Sequence, residues 1–326
     1  MATRKITKQK KKVTAVKKEP LQKNDLELTI NKQPLKLTHL NKIYWPKEKI
    51  TKRDLINYYT SVSKFILPYL KDRPQNMHRF PNGIEEQGFY QKDVDLKEIP
   101  TWLQTDELYS ESNDKYINYL LCQNEAALLY MVNLGCIEIN PWSSRKQKPN
   151  NPDWVVIDLD PGDNSFKQVV KVALAVQKIY TEIGVDCYCK TSGATGLHIF
   201  APLNAEYHYD EVRGFAELIA HLVNKRLPDI TSIERAPAKR KSKIYIDFLQ
   251  NGRGQTIAAP YCVRPRPGAT ISTPLKWSEV NDSLKPNDFT IFNTLSRLSR
   301  LGDLWSPLLN KGFNLQKAHN KLLQIR

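Results

Sequence analysis

The chain has 326 residues, of which 40% are hydrophobic and 25% are charged, and its formal net charge is +15. It contains no apolar run of about eighteen residues and no signal-peptide segment, which argues against a membrane-spanning or secreted protein and predicts a soluble, cytoplasmic one. Its five cysteines form no Cys-x-x-Cys pair, so we expect reduced, structural thiols rather than a zinc site.

The positive charge is unevenly distributed. Residues 1–24 carry nine Lys or Arg and one Glu, a net charge of +8 that leaves +7 for the rest. This basic stretch has too few apolar residues to fold, so we predict a disordered tail or linker, which either keeps the protein soluble or binds phosphates. We predict that residues 25–326 form one domain, and their remaining charge favours a polyanionic partner.

The first part of this domain predicts an extended segment followed by a helix. Residues 37–46 are extended in pattern and contain Lys42. A capping box at Thr51-x-x-Asp54 then opens a helix to about Leu70. Apolar residues recur at helical spacing along it, so one face of this helix should be buried.

A pair of adjacent aromatic residues, Phe89 and Tyr90, follows the first helix. Basic residues flank the pair, so the two rings either pack in the core or stack on nucleic-acid bases. A second helix is predicted near Asn124 to Leu134, with Gly135 at the position where a helix-ending glycine belongs.

From residue 154 onward, short apolar segments alternate with longer segments of helical periodicity. The order β-α-β-β-α-β is that of the split βαβ or ferredoxin-like unit, so the fold class is α+β, with additional N-terminal α/β elements. In the usual arrangement the first strand lies between the third and the fourth, antiparallel to both. The predicted strands are 154–160, 185–191, 197–202 and 243–249, and the predicted helices are 166–183 and 209–227.

Two aspartates stand at the end of the first of these strands. Asp158 and Asp160 are two residues apart, so their side chains point to the same face. Adjacent carboxylates repel each other unless a cation lies between them, and Mg²⁺ and Mn²⁺ prefer oxygen ligands. The ferredoxin-like order adds His198 and a third carboxylate, Asp247. The pattern therefore predicts a site for two Mg²⁺ or Mn²⁺ ions, although a plain strand with an Asp-Pro turn is the simpler alternative.

A small-residue loop precedes His198. The backbone amides of Ser192 to Gly196 are expected to approach phosphates closely, and Arg264 is a candidate bidentate phosphate ligand. The alternatives are an ordinary hairpin and a hydrogen-bonded core histidine. Together with three carboxylates, the loop favours two-metal phosphoryl or nucleotidyl transfer.

Several stretches carry a resemblance that covers the chain from about residue 35 to its C-terminus. They resemble the polymerase domain of bacterial DNA ligase D, within the archaeo-eukaryotic primase superfamily. The stretches are Asp153 to Gly162, Lys190 to His198, Asp247 to Thr256, Ala259 to Ala269, and an N-terminal set formed by Lys42, Thr51-Lys52, Arg79 to Gly83 and Phe89 to Lys92.

The resemblance implies template-directed addition of nucleotides at DNA gaps and broken ends during nonhomologous end joining. It implies NTPs and dNTPs as substrates, with ribonucleotides and Mn²⁺ preferred. The implied partners are gapped or broken DNA, Ku and a DNA ligase, and the implied location is the bacterial cytoplasm, in association with the nucleoid.

The same resemblance assigns roles to individual residues. It places metal binding on Asp158, Asp160 and Asp247, triphosphate binding on Ser192, His198 and Arg264, 5′-phosphate binding on Lys42 and Lys52, template stacking on Phe89 and Tyr90, and a role in an end-synapsis loop on Arg240.

The chain departs from the family pattern at four positions near these residues. Thr195 replaces a usual lysine, which removes one phosphate-neutralising charge, and Asn140 replaces a common histidine near the nucleotide. His39 replaces a usual asparagine and Cys262 a usual serine.

Two other functions fit part of the pattern. A sugar-nucleotide transferase uses Asp-x-Asp to hold a metal–diphosphate, but it has no use for the basic charge or the aromatic pair. A noncatalytic nucleic-acid-binding module on a ferredoxin-like sheet accounts for the charge, but not for three carboxylates that repel phosphate.

Overall fold

The computed structural model describes residues 23–111, 113–310 and 312–325, so all but two residues of the predicted tail 1–24 lie outside them. Within these ranges the chain forms fifteen strands and six α-helices. No helix there is both long enough and apolar enough to cross a membrane. The strands are β1 (Leu26–Ile30), β2 (Gln33–Leu37), β3 (Ile43–Trp45), β4 (Ile50–Thr51), β5 (Gln75–Arg79), β6 (Phe89–Gln91), β7 (Gln104–Ser110), β8 (Lys115–Leu121), β9 (Cys136–Pro141), β10 (Trp154–Asp160), β11 (Tyr188–Thr191), β12 (Leu197–Pro202), β13 (Thr231–Ser232), β14 (Ile244–Asp247) and β15 (Pro274–Leu275). The helices are α1 (Lys52–Leu70), α2 (Glu125–Asn133), α3 (Phe166–Glu182), α4 (Tyr209–Arg226), α5 (Thr294–Leu301) and α6 (Leu315–Gln324).

The largest sheet has the strand order β13-β14-β10-β12-β11-β15. Strand β10 lies between β12 and β14 and is antiparallel to both, as the β-α-β-β-α-β order predicts. Two short strands, β13 and β15, extend the sheet at its edges. The sheet therefore places Asp158, near the end of β10, beside the start of β12 and the end of β14.

Alternation along β10 divides the molecule into two hydrophobic cores. Val155, Ile157 and Leu159 face α3 and α4 and belong to one core. Trp154 and Val156 face the other way and belong to a second core, which includes α1, α2 and the β6-β5-β9 sheet. Because side chains alternate, the aspartates of β10 project on the side of this second core, between the two halves of the molecule.

The helix caps form as the sequence predicts. Thr51 and Asp54 make a reciprocal capping box at the start of α1. Asn124 accepts a hydrogen bond from the Ala127 amide at the start of α2, and Gly135 follows the helix with a φ of +83°. Strand β11 is shorter than predicted and starts at residue 188 rather than 185, and the β1–β2 and β7–β8 hairpins and α6 were not predicted.

A buried ion pair joins the N-terminal half to the start of β10. The Arg73 side chain is 0% exposed, and its guanidinium donates to the Asp153 carboxylate and to the Ser143 carbonyl oxygen, the latter at 2.7 Å. The guanidinium also lies 3.9 Å from the ring centroid of Trp154. This one side chain, from the N-terminal half of the molecule, therefore binds the segment that leads into β10.

Removing Arg73 should destabilise the protein strongly, because Asp153 then keeps a poorly solvated charge without its buried partner. We expect Arg73→Leu to lower the free energy of unfolding by about 3–5 kcal/mol, measured by urea denaturation. Arg145 contacts the same carboxylate at 2.8 Å but is 39% exposed, so Arg145→Leu should cost less than about 1 kcal/mol. Equal losses in the two variants would contradict this assignment.

Candidate active site

The register of the sheet brings the predicted site together. Asp158 of β10 lies directly opposite His198 of β12 on one side and Asp247 of β14 on the other. Asp160 lies two residues further along the same face of β10, opposite Tyr245, and is exposed. The structure thus gathers the three predicted carboxylates and the predicted histidine at the end of β10.

The carboxylates of this group lack sufficient compensating charge. Burial, together with the charges of Asp160 and Asp247, raises the pKa of Asp158 to about 8, although Lys190 and Arg264 oppose the rise. Burial is also the largest cause that raises the pKa of Asp247. A raised carboxyl pKa in a cluster of like charges indicates a place where a cation would be stabilising.

The donor set fits hard divalent cations. Three carboxylates on one sheet face offer oxygen ligands only, which Mg²⁺ and Mn²⁺ prefer. In the described part of the chain, no three His, Cys, Asp or Glu side chains are close enough to form a preassembled metal centre. All five cysteines are buried and free, as expected for structural thiols.

The Ser192 to Gly196 loop closes onto itself. The Ser192 hydroxyl accepts hydrogen bonds from the amides of Ala194 and Gly196, both at 3.0 Å. These two amides therefore donate within the loop, and the expectation that the loop amides approach a phosphate stays a prediction. Gly193 has a φ of +68°, and a Cβ there would lie 2.6 Å from Arg264 Cγ, so only glycine allows this close approach.

Arg264 is held by a residue that the sequence analysis missed. Its Nε donates to Glu138 Oε2 at 3.0 Å, and its Nη1 donates to the Ser192 carbonyl oxygen. Glu138 also lies 3.3 Å from His78 Nδ1. The one available signal was a glutamate within the apolar run of β9, because a charged side chain in a buried strand normally has a charged partner.

The aromatic pair lies on the surface rather than in the core. Phe89 is 46% and Tyr90 is 58% exposed, which excludes core packing. The Tyr90 ring stacks on His78, with centroids 4.0 Å apart and planes 13° apart, and Phe89 lies 5.2 Å from the Arg79 guanidinium. Both rings are thus oriented by neighbours and expose enough surface to stack on a base.

One cavity collects most of the predicted nucleotide-binding residues. Its volume is about 620 Å³, and its lining includes Tyr90, Asp158, His198, Arg264 and Asn140. This volume lies within the usual range of small-molecule sites. Ser192 reaches the cavity through Arg264 rather than by lining it.

The two lysines predicted to bind a 5′-phosphate form a separate cationic pair outside this cavity. Lys42 donates to Asn82 Oδ1 at 2.6 Å, and Lys52 donates to the Thr38 carbonyl oxygen at 2.7 Å. Burial, and then the charge of Lys42, lowers the pKa of Lys52 to about 8. A phosphate between the two ammonium groups would offset the effect of Lys42 on Lys52.

Arg240 lies beside the carboxylates. Its Nε donates to the Glu234 carbonyl oxygen at 3.0 Å, its Nη2 donates to the Arg235 carbonyl oxygen at 2.8 Å, and its guanidinium lies 3.8 Å from the Tyr245 ring centroid. It lines a second cavity, of about 670 Å³, together with Asp247. This basic loop therefore borders the site.

The residues that depart from the family pattern differ in how deeply they are buried. Thr195 is exposed at the tip of its loop, whereas Asn140 is buried and donates to the Asn76 carbonyl oxygen at 3.4 Å. The Cys262 sulfur accepts a hydrogen bond from the Ile139 amide at 3.0 Å, so this thiol takes over an acceptor role in the core.

A ferredoxin-like sheet that presents three aspartates beside a histidine and an arginine defines a primase-polymerase core. The family model described as "LigD, primase-polymerase domain" matches residues 51–305. The chain therefore belongs to the LigD primase-polymerase domain family.

Known proteins with similar sequences and structures agree with this assignment. The "Bifunctional non-homologous end joining protein LigD" of Bacillus subtilis is 34% identical over 82% of this chain and 43% of that protein. The "Multifunctional non-homologous end joining protein LigD" of Pseudomonas aeruginosa is 28% identical over 83% of this chain and 32% of that protein. The chain thus spans less than half the length of these relatives.

A solved structure described as "Polymerase Domain from Mycobacterium tuberculosis Ligase D in complex with DNA" superposes with a TM-score of 0.78 at 26% identity. The match covers 85% of this chain and 98% of that one, which confirms the predicted fold class.

The raised pKa of Asp158 predicts a pH-dependent stability of the metal-free protein. The folded value, about 8, lies above an unfolded value of about 3.9, so the folded state binds more protons between them. Stability should therefore fall as the pH rises through this window. We expect Asp158→Asn to raise the Tm at pH 8 by roughly 2–4 °C and to change it little at pH 4.

The measurement is thermal unfolding with EDTA across this pH range. Asp163→Asn, which removes an exposed carboxylate from the following turn, is the matched control and should leave the profile unchanged. A profile that is equally steep in wild type and Asp158→Asn would show that Asp158 is not the source of the pH dependence.

Proposed function

We propose that this protein is a DNA-dependent nucleotidyltransferase that adds ribo- or deoxynucleotides at gaps and broken ends during nonhomologous end joining. The observation that carries the proposal is Asp158 in register between Asp247 and His198, within a fold of the LigD primase-polymerase family. In the reaction, a primer 3′-hydroxyl attacks the α-phosphate of the nucleotide and pyrophosphate leaves.

Asp158, Asp160 and Asp247 would hold two Mn²⁺ or Mg²⁺ ions. When bound, such ions lower the pKa of an attacking hydroxyl and neutralise charge on the leaving phosphates. The carboxylates also gain, because bound cations would offset the burial and the like-charge repulsion that raise the pKa of Asp158. Asp158 and Asp247 come from neighbouring strands, so the sheet itself holds these two proposed metal ligands in place.

The cavity beside the carboxylates would receive the nucleotide. Arg264 and His198 would bind its triphosphate, and Ser192 orients Arg264 through its carbonyl oxygen. Tyr90, held against His78, would stack on the template together with Phe89.

The surrounding basic groups would hold the DNA. Lys42 and Lys52 would bind the 5′-phosphate on the far side of a gap, and Arg240 would act in the loop that brings two ends together. The named DNA complex of the related polymerase domain supports DNA as the partner.

The wider setting follows from the relatives. They are named bifunctional or multifunctional non-homologous end joining proteins, which supports a role in end joining. We infer that the protein acts there beside a DNA ligase, with Ku at the break, in association with the bacterial nucleoid.

Nucleotide incorporation tests the catalytic assignment. The substrate is a gapped duplex with a downstream 5′-phosphate, supplied with Mn²⁺ and either NTPs or dNTPs, and products are resolved on denaturing gels. Asp158→Ala and Asp247→Ala should each reduce the rate on the order of 10²–10³-fold, because each removes a ligand to the ions that stabilise the developing charge.

Asp163→Ala, an exposed carboxylate in the next turn, should keep full activity. Undiminished extension in both catalytic variants would refute the proposal. Tight binding of gapped DNA by a wild-type protein that neither binds metal nor extends primers would identify a noncatalytic nucleic-acid-binding module instead.

The lysine pair predicts a preference for a phosphorylated downstream end. We expect Lys42→Met and Lys52→Met each to reduce the preference for 5′-phosphate over 5′-hydroxyl DNA by about 10-fold, because each removes a charge-assisted contact. Fluorescence anisotropy with the two DNAs measures it. In the wild type, the preference should weaken as the pH rises through about 8, where Lys52 loses its charge.

Lys47, an exposed lysine of the same hairpin, provides the control, and Lys47→Met should keep the preference. Equal weakening of both DNAs by the Lys42 and Lys52 variants would indicate general electrostatic attraction rather than a 5′-phosphate site.

A further inference from the structure

A lysine that the function described above does not use lies directly behind His198. The Lys190 side chain belongs to β11 and is 0% exposed, so it cannot touch a substrate in the cavity. Its Nζ lies 2.7 Å from His198 Nδ1 and 2.6 Å from Ser272 Oγ. The rings of Phe200 and Trp305 lie 5.8 Å and 6.0 Å from the same nitrogen.

The hydrogen bonds around this nitrogen determine where the protons are. Burial lowers the pKa of Lys190 to about 7, and below that pH its ammonium group has only donors, so each neighbour that it contacts must accept. The Ser272 hydroxyl can do so because its own proton goes to the Thr191 carbonyl oxygen, 2.9 Å away. His198 Nδ1 must then also be an acceptor, which leaves the ring proton of a neutral imidazole on Nε2.

The opposite side of the ring supports the same assignment. His198 Nε2 lies 3.4 Å from Asp158 Oδ1. An N–H at this position faces the carboxylate favourably once bound cations hold it ionised, whereas a bare nitrogen would then place two acceptors against each other. His198 also lines the cavity of about 620 Å³, so the same N–H is available to an anionic ligand there.

We propose that Lys190 is a positioning residue that holds His198 in the Nε2–H tautomer, so that the ring offers a hydrogen-bond donor to a nucleoside triphosphate oxygen. This role rests on the proposed function only for the identity of the ligand. Without Lys190, the ring can take up the Nδ1–H tautomer, which presents a lone pair to the phosphate and repels it.

The first test reads the tautomer directly and requires no activity. Protein labelled with ¹⁵N-histidine is examined by long-range ¹H–¹⁵N NMR with Mg²⁺, because Mn²⁺ is paramagnetic. The chain has six histidines, and the His198→Gln variant identifies the His198 signals by their loss. We expect a protonated Nε2 and an unprotonated Nδ1 in the wild type, and a rise of the Nδ1–H form in Lys190→Met.

Ser272→Ala is the matched control, since it removes the other partner of the same ammonium group but leaves the contact to His198. It should keep the Nε2–H tautomer. A protonated Nδ1 in the wild type, an unchanged tautomer in Lys190→Met, or an equal change in Ser272→Ala would each overturn the proposal. If Lys190→Met does not fold, a protonated Nδ1 in the wild-type spectrum would still overturn the proposal.

Kinetics provides the second readout. Lys190→Met should raise the KM for the nucleotide by about 10-fold, with a smaller effect on the KM for gapped DNA, because only the triphosphate contacts His198. Equal effects on both KM values would indicate a general structural role and contradict the proposal. A wild-type protein that incorporates no nucleotide would refute the proposed function, whereas the NMR result would still decide the tautomer.

Discussion

The repulsion between the carboxylates at the end of β10 is the constraint around which the structure is arranged. Asp158 lies opposite Asp247, and its pKa is raised to about 8 by burial and by the neighbouring carboxylates. A fold selected for stability alone would avoid this cluster, since each buried like charge has an energetic cost. Lys190 and Arg264 lie close enough to lower the pKa of Asp158, but they do not fully offset the repulsion. The remaining negative charge is what a pair of divalent cations would neutralise.

The strand that carries this cluster also connects the two halves of the molecule. Side chains on one face of β10 pack against α3 and α4, and those on the other face pack against the N-terminal elements. The carboxylates therefore lie where the two cores meet, and the wall opposite them comes from residues such as Tyr90 and Glu138. The buried contact of Arg73 with Asp153 and Trp154 holds this junction at the first residue of the strand.

The cations of the site are themselves held in place. Arg264 is bound by Glu138 and by the Ser192 carbonyl oxygen, Lys190 by His198 and Ser272, and Lys52 by the Thr38 carbonyl oxygen. Each positive group is thus already oriented by the protein, so a phosphate bound there would cost less side-chain freedom. Glu138 lies between His78 and Arg264, and His78 in turn stacks on Tyr90. The same carboxylate therefore supports both Tyr90, proposed to stack on the template, and Arg264, proposed to bind the triphosphate.

The sequence by itself determined the features that depend on neighbours along the chain: the caps of α1 and α2, the alternating strand that ends in Asp158 and Asp160, and the strand order that brings Asp247 and His198 to it. Motifs such as Lys190 to His198 also indicated the family. The contacts of Glu138, His78 and Lys190, and the closed Ser192 loop, emerged only from the tertiary structure. Glu138 and Arg264, for example, are 126 residues apart. Which distant charges become partners depends on how the two halves pack around β10, and neither periodicity nor spacing along the chain contains that information.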